Sequence, residues 1–429
     1  MIRIIKSETI EEKEFYRKLT ERNFKDNYKL NDIVKVIIEN VRTKGDNALI
    51  EYTQKFDGVD AKTYSLKVNS NEIDEAYKIV DSELISIIKR AKENIEKYHQ
   101  KQIENSWIST EKNGVLLGQL YRPLGIVGVY VPGGTAPLIS SVLMNIIPAK
   151  IAGVEKIIMA TPPQKDGKIN PAILVAAKEA GADEIYGVGG AQAIAALAFG
   201  TQTIPKTDKI VGPGNIYVAT AKKMVYGYCD IDMFAGPSEI AVLADDSANP
   251  KYVAADLLSQ AEHDTLASSI LLTTSEKLAV QVKAEVETQY QYLDRKAIIK
   301  KSLDDYSIAI IVKSIEEAVD KANAIAPEHL ELLVKEPFAV LGSIKNAGAI
   351  FIGSYSSEPV GDYYAGPSHV LPTGGTARFF SPLNVGDFIK KTSIISYTEK
   401  ALYEAKDDII RFAEAEGLGA HANAIKVRF

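Results

Sequence analysis

From residue 125 onward, short runs of β-branched residues alternate with helical stretches, and glycines stand where the runs end. One series extends from residue 125 to 225, and a second from 239 to 352 repeats the rhythm. Such alternation favours parallel strands covered by helices on both faces, because a parallel connection needs a crossover of a dozen or more residues. The sequence therefore predicts an α/β protein with two tandem Rossmann-like doubly wound modules, plus small N- and C-terminal helical segments.

The expected elements follow from the change between β-type and helix-type periodicity. In the first module we predict strands at 125–131, 156–160, 184–188 and 209–211 and helices at 138–152, 171–182, 191–198 and 215–225. In the second we predict strands at 239–243, 269–272, 308–312, 330–334 and 349–352 and helices near 251–261, 275–288 and 315–325. Residues 29–108 read as a helical packing layer.

The last 47 residues, 383–429, hold one amphipathic helix at about 399–416 and too little else to bury a core. They must pack on another surface. That surface belongs either to the same chain or to a second copy, and the pattern leaves both possibilities open.

Composition excludes several classes of protein. With 50 basic and 56 acidic residues and a net charge of -6, the chain has no basic surplus to offset a nucleic-acid backbone. Prolines and glycines interrupt the uncharged runs at 123–149 and 185–205, which argues against membrane spans. A single cysteine and an N-terminus without an apolar signal core predict a cytoplasmic protein.

Four of the five histidines fall at the ends of predicted elements, where sites collect in α/β proteins. Gln260 and His263 are three apart on a helix and share one face. With Asp362 and His421 they offer imidazole, carboxylate and amide ligands without thiolate, a set that suits Zn²⁺. A Gln-x-x-His pair also occurs on ordinary helix surfaces, and Asp362 could instead cap a turn.

Two further features are candidates for chemistry. Glu328 and His329 follow a proline and precede a strand, so they either share two proton transfers or form a simple helix-to-strand turn. Glycine clusters at 133–134, 187–190 and 212–214 each follow a strand and open a helix, which exposes helix N-terminal amides to a pyrophosphate. None is a complete dinucleotide motif, and the glycines could simply allow close packing. Cys229 has no basic neighbour and is expected to be inert.

Taken together, these segments closely resemble the histidinol dehydrogenase family, from about residue 120 to the end and in the family's order. The matching stretches are Tyr130-Val-Pro-Gly-Gly-Thr-Ala-Pro, Val188-Gly-Gly-Ala-Gln192, Val211-Gly-Pro-Gly-Asn215, Ala235-Gly-Pro-Ser238-Glu239, Leu257-Leu-Ser-Gln260-Ala-Glu-His263, Pro327-Glu328-His329-Leu330, Gly361-Asp362-Tyr363, Ser368-His369-Val-Leu-Pro-Thr and Glu416-Gly-Leu-Gly-Ala-His421.

The resemblance implies a role for each matching position. It implies zinc ligands at Gln260, His263, Asp362 and His421, NAD contacts at Tyr130, Gln192 and Asn215, and a catalytic acid–base pair at Glu328 and His329. It implies substrate contacts at Ser238, Gln260, His263, His329, Asp362, His369, Glu416 and His421. Gly419 is a departure, because a larger or polar residue is expected there.

The resemblance also implies the reaction and the assembly. The family oxidises L-histidinol through a bound aldehyde to L-histidine with two NAD⁺, and forms a homodimer in which the C-terminal segment crosses to the partner. The implied divisions are a helical arm at 1–23, a larger domain at 24–128 and 239–382 with the zinc and catalytic residues, an NAD-binding domain at 129–238, and the exchanged segment 383–429. A paralogue that oxidises another small alcohol and, from another class, a zinc hydrolase are the alternatives.

Overall fold

A computed structural model describes residues 2–23, 28–60, 64–133, 137–234 and 236–429 of the chain. The strands are β1 (Arg3–Lys6), β2 (Trp107–Thr110), β3 (Leu116–Pro123), β4 (Ile126–Tyr130), β5 (Lys156–Ala160), β6 (Glu184–Tyr186), β7 (Lys209–Val211), β8 (Asp230–Ile231), β9 (Glu239–Ala244), β10 (Ser268–Thr273), β11 (Ile308–Ile311), β12 (His329–Leu333), β13 (Ala349–Ile352) and β14 (Ile389–Ser396). The helices are α1 (Ile10–Asn23), α2 (Tyr28–Lys44), α3 (Asp46–Asp57), α4 (Ser70–Ile79), α5 (Ser82–His99), α6 (Ile139–Ala152), α7 (Pro171–Ala180), α8 (Gly190–Phe199), α9 (Ile216–Val225), α10 (Pro250–Ala261), α11 (Glu276–Gln289), α12 (Lys296–Tyr306), α13 (Ile315–Ile325), α14 (Pro337–Leu341), α15 (Glu358–Tyr363), α16 (Glu399–Ala415) and α17 (Gly419–Lys426).

The larger sheet has six strands in the order β1-β11-β10-β9-β12-β13, all paired in parallel. All six residues of β9 are buried, as expected for a strand covered on both faces. Ile240 and Val242 pack with α10, α11 and α12, whereas Ala241 and Leu243 pack with α1 and α13. Successive residues of β9 therefore face opposite sides, and a layer of helices covers each side of the sheet.

The smaller parallel sheet has five strands in the order β6-β5-β4-β7-β8. Helices α5, α6 and α7 cover one face, and α2, α8 and α9 cover the other. The fold class predicted from the sequence is therefore confirmed, and each strand predicted in the two modules is present. Helices α2 to α5 pack on the helices that cover this smaller sheet, whereas the expected boundaries grouped 24–128 with 239–382. The sequence of a helix shows which of its faces is apolar, but not which sheet that face packs towards.

A third sheet, which the sequence pattern did not predict, is antiparallel and runs β14-β3-β2. Its strand β14 belongs to the segment 383–429, for which only a helix was predicted, and pairs along all eight of its residues with β3. The segment therefore packs partly on its own chain. No helix in the described ranges is both long and apolar enough to cross a membrane.

Candidate active site

The catalytic candidates lie at the amino-terminal edge of the larger sheet. His329 opens β12, Glu328 precedes it, and Glu239 opens β9 beside them, since His329 is in register with Ile240. Gln260 lies in the last turn of α10, which runs back along the sheet to the same edge. Ligand sites in open α/β sheets usually occupy the carboxyl edge, so this position departs from the general rule.

The imidazole of His329 is buried and oriented through one nitrogen. Its Nδ1 lies 3.1 Å from the main-chain oxygen of Glu239 and 2.9 Å from Oε1 of Gln260. Both oxygens accept, so Nδ1 carries the hydrogen and Nε2 carries the lone pair. Among the described residues Nε2 has no hydrogen-bond partner. Burial lowers the pKa of His329 to about 3, and the ring is therefore a neutral proton acceptor at Nε2.

The carboxyl group of Glu328 is held beside this ring. Its Oε2 accepts a hydrogen bond of 3.0 Å from the main-chain N–H of Glu239 and lies 3.8 Å from Nδ1 of His329. Burial raises the pKa of Glu328 well above its ordinary value, and the charges of Glu239, Glu358 and Asp362 raise it further. These effects favour the protonated form of the carboxyl group.

A cluster of one imidazole and two carboxylates lies next to the pair. Ligand atoms of His263, Glu358 and Asp362 are all within 4.8 Å of one another, and Nε2 of His263 is 3.5 Å from Oε1 of Glu358. The two carboxylates are four residues apart on α15 and share one face. Burial raises the pKa of Glu358 to about 8 and that of Asp362 to about 6.

The cluster fits a divalent cation. Glu358 is 1% exposed, and within the described ranges neither of its carboxylate oxygens has a hydrogen-bond partner. A buried carboxylate without partners is costly unless it is protonated or faces a cation. Imidazole and carboxylate oxygen are ligands that Zn²⁺ accepts. Sequence reasoning missed Glu358, although its spacing of four residues before Asp362 was a usable signal.

His369 connects this cluster to the smaller sheet. Its Nδ1 lies 3.8 Å from Oδ1 of Asp362, and its Nε2 lies 3.4 Å from the hydroxyl of Ser141 on α6. Burial lowers the pKa of His369 to about 4, so the ring is neutral. A cavity of about 740 Å³ opens between these elements and is lined by Asp362, Ser368 and His369, among others. The site therefore lies where the two modules meet.

Three other predicted substrate residues occupy different places. Ser238 immediately precedes β9, and its main-chain oxygen accepts from the N–H of Ser268. Glu416 caps the C-terminus of α16 and His421 belongs to α17. Both are exposed and, with Phe412, line an apolar groove between these helices. In the described part of the chain no hydrogen bond or ion pair joins Glu416 or His421 to the cluster around His329.

The three candidate NAD residues meet at the carboxyl edge of the smaller sheet. The hydroxyl of Tyr130, at the end of β4, accepts from the N–H of Gly190 at the start of α8. Gln192 is buried in the first turn of α8, and the side chain of Asn215 caps α9 by accepting from Tyr217 and Val218. Two helix N-termini thus meet at this edge, which suits a pyrophosphate.

Close backbone packing shapes the same edge. A Cβ added at Gly212, whose φ is +116°, would lie 2.0 Å from the main-chain oxygen of Tyr130. Lys222 and Asp232 hold this loop in place through the main chain of Gly212. Nζ of Lys222 donates to the oxygen of Gly212, and Oδ2 of Asp232 accepts from the N–H of Gly212. Cys229 lies elsewhere, and burial raises the pKa of its thiol to about 11, which makes it a poor nucleophile.

Comparison with known proteins identifies the family. The family model described as histidinol dehydrogenase matches residues 20–429. The histidinol dehydrogenases of Clostridium acetobutylicum and Heliobacterium mobile are 58% and 55% identical to this chain; the alignments cover 100% of the chain and 99% of each relative. The crystal structure of histidinol dehydrogenase from Elizabethkingia anophelis superposes with a TM-score of 0.94 at 43% identity, over 100% of this chain and 98% of that one. The chain belongs to the histidinol dehydrogenase family.

Proposed function

We propose that the chain oxidises L-histidinol to L-histidine through L-histidinal, with two NAD⁺ as acceptors, and that it does so at the site formed by β12, α10 and α15. The observation that carries this proposal is the buried Nε2 of His329, a lone pair with no protein partner among the described residues, beside a cation-fitting cluster. Membership of a dehydrogenase family acting in histidine biosynthesis agrees with a proton acceptor of this kind.

His329 and Glu328 divide the proton transfers. In the first oxidation Nε2 of His329 takes the hydroxyl proton of the alcohol, while Nδ1–H stays bonded to the oxygen of Glu239. Before the second oxidation His329 releases this proton to solvent. The ionised carboxylate of Glu328 then takes a proton from the water that adds to the aldehyde carbon, and His329 accepts the proton of the resulting hydrate. NAD⁺ supplies the hydride acceptor for each oxidation.

Gln260, His263, Asp362 and His421 are the residues that we propose as zinc ligands, and Glu358 lies in the same cluster. When bound, the ion supplies a Lewis-acidic anchor for the nitrogen atoms of the substrate. Ser238, His369 and Glu416 then bind the remaining polar groups, and the neutral ring of His369 is suited to a hydrogen bond rather than an ion pair. Positioning of the carbinol carbon is the main contribution of these residues.

Tyr130, Gln192 and Asn215 are proposed to contact NAD, because they lie at the edge where the N-termini of α8 and α9 meet. This edge and the cluster lie in different modules. His369 lies between the two modules, because its Nε2 contacts the hydroxyl of Ser141 in the smaller module.

We propose that the active assembly is a homodimer whose sites are shared. Glu416 and His421 are exposed on the C-terminal helices, and the apolar groove beside them, with a volume of about 830 Å³, is a surface that a second copy would cover. On this arrangement His421 completes the site of the partner subunit. A cytoplasmic location remains a prediction from the cysteine content.

The number of NADH molecules formed per molecule of limiting L-histidinol tests the reaction. With purified protein, added zinc and excess NAD⁺, we expect two, measured by absorbance at the end of the reaction. One would indicate an enzyme that releases the aldehyde. Formation of no NADH would contradict the proposed substrate and would be the result expected of a hydrolase or of a paralogue with another substrate.

The metal content of variants tests the ligand assignment. H263A is expected to lose its zinc during dialysis against a weak chelator, because the site then lacks one of its two proposed imidazole ligands. The measurement is moles of zinc per mole of subunit by elemental analysis. H99Q is the control, since His99 is the last residue of α5, hydrogen-bonds through Nδ1 to Gln102 and is not one of the cluster residues. Full zinc retention in H263A would refute the assignment.

A further inference from the structure

Arg22 lies near the end of α1, in the N-terminal segment, yet its side chain is fully buried beneath the catalytic edge of the larger sheet. Its Nη2 forms an ion pair with Oε1 of Glu239, and the side chains of the two residues are 0% and 4% exposed. Its Nη1 donates to the main-chain oxygen of Leu266, and its guanidinium lies 5.3 Å from the ring centroid of Tyr306. These contacts fix the guanidinium on three sides.

Both catalytic candidates form hydrogen bonds with the main chain of Glu239. Its N–H donates to Oε2 of Glu328 at 3.0 Å, and its C=O accepts from Nδ1 of His329 at 3.1 Å. Its own carboxylate is held by Arg22 at one oxygen and by the N–H of Gly374 at the other, at 3.1 Å. A displacement of Glu239 would therefore move both catalytic groups together.

We propose that Arg22 is a positioning residue of the reaction, which fixes Glu239 and through it the acceptor orientation of His329 and the placement of Glu328. The proposal rests on the roles given above to Glu328 and His329. It assigns a function to the N-terminal arm, for which the sequence predicts only scaffold.

The charge of Arg22 has a second consequence at the same place. The carboxylate of Glu239 lies close enough to Glu328 to oppose its ionisation, and the guanidinium offsets this repulsion. Arginine suits the task better than lysine, because its planar fork reaches Glu239 and Leu266 simultaneously. A buried ion pair adds little stability on balance, so a role in geometry is the better account of its presence.

Kinetics of R22M and R22K test the inference. We expect kcat for histidinol oxidation to fall by between about 10-fold and about 100-fold, because small displacements of catalytic groups are costly, while KM for NAD⁺ and zinc content stay at wild-type values. The pH at which kcat is half-maximal should change in R22M, because both the guanidinium of Arg22 and the charge of Glu239 act on the ionisation of Glu328. A purely structural role of Arg22 would not move this pH.

The control is R17M, on the same helix, where Arg17 is exposed and pairs with Glu21. Added guanidinium ion at non-denaturing concentration is expected to restore part of kcat in R22A, and methylammonium is not. If R22M does not fold, R22K keeps the charge and serves alone. Wild-type kcat in folded R22K would overturn the inference, while two NADH per histidinol from the wild-type protein would leave the proposed function intact.

Discussion

Hybrid dimers of two inactive variants, H263A and H421A, are expected to recover about half of the wild-type activity per dimer, because one of their two sites contains no substitution. Each variant alone should show less than about 1% of wild-type activity, since every site then lacks one proposed zinc ligand. In the hybrid, both substitutions fall in the same site if His421 serves the partner, and the other site is intact.

The location of the two residues makes this outcome specific. His263 lies beside Glu358 and Asp362 in the cluster, whereas His421 is exposed on α17, which packs on α16. If both ligands acted within one subunit, each subunit of the hybrid would still carry one defect and no activity would return. Recovery therefore measures exchange of the C-terminal segment rather than association alone.

The hybrid is obtained by co-expressing the two variants with different affinity tags and purifying on both tags in succession. The matched control combines H263A with D362N, whose positions lie in the same cluster; their hybrid should remain inactive because each site keeps one defect. Activity is measured as NADH formation. The zinc content of the H263A–H421A hybrid should be close to one ion per dimer. An inactive H263A–H421A hybrid that is intact by native mass spectrometry would contradict the shared site.

The strands of both parallel sheets could be predicted from the sequence because burial on two faces gives contiguous apolar runs, as in β9 and β10. Strand β14 was missed since it is largely exposed and carries Lys390, Lys391 and Thr392 at its centre, a composition that also fits a loop. Strand β1 has only four residues and gains its place by pairing with β11. Edge strands and antiparallel strands depend on partners that a local pattern does not show.

The candidate site likewise contains residues that the sequence indicates and residues that only the packing of the fold reveals. Glu328 and His329 could be singled out because they are adjacent and stand at an element boundary. The expectation that Gln260 and His263 share one helix face is wrong, because α10 ends at Ala261 and His263 lies in the turn that follows. Glu358 was not singled out, although it lies four residues before Asp362, because the sequence does not show that its side chain is buried. Arg22 and Glu239 are 217 residues apart, so their contact depends on α1 covering the larger sheet.

Replacing Glu328 by Gln is expected to slow oxidation of the aldehyde by between about 100-fold and about 10,000-fold, the range for loss of a general base, and oxidation of the alcohol far less. The substitution keeps the size of the side chain and an oxygen that can accept from the N–H of Glu239. Water activation is lost, whereas Nε2 of His329 still receives the alcohol proton. The expected result is a single rapid NADH per site from histidinol, followed by a slow second one.

The pKa of Glu328 gives this prediction a pH signature. Because burial raises that pKa well above the ordinary value, the carboxyl group is protonated at low pH and becomes a base only as the pH rises. Aldehyde oxidation by the wild-type protein should therefore increase with pH, and E328Q should lack this rise. Single-turnover measurements with L-histidinol and with L-histidinal, across a series of buffers, resolve the two oxidations.

A matched control comes from the same strand. Glu331 is also buried, burial together with the neighbouring Asp256 raises its pKa, and Gln keeps the size of its side chain. E331Q should leave both oxidations near wild-type rates. Equal losses of both oxidations in E328Q would refute water activation by Glu328, because a group that only shapes the site slows both oxidations alike.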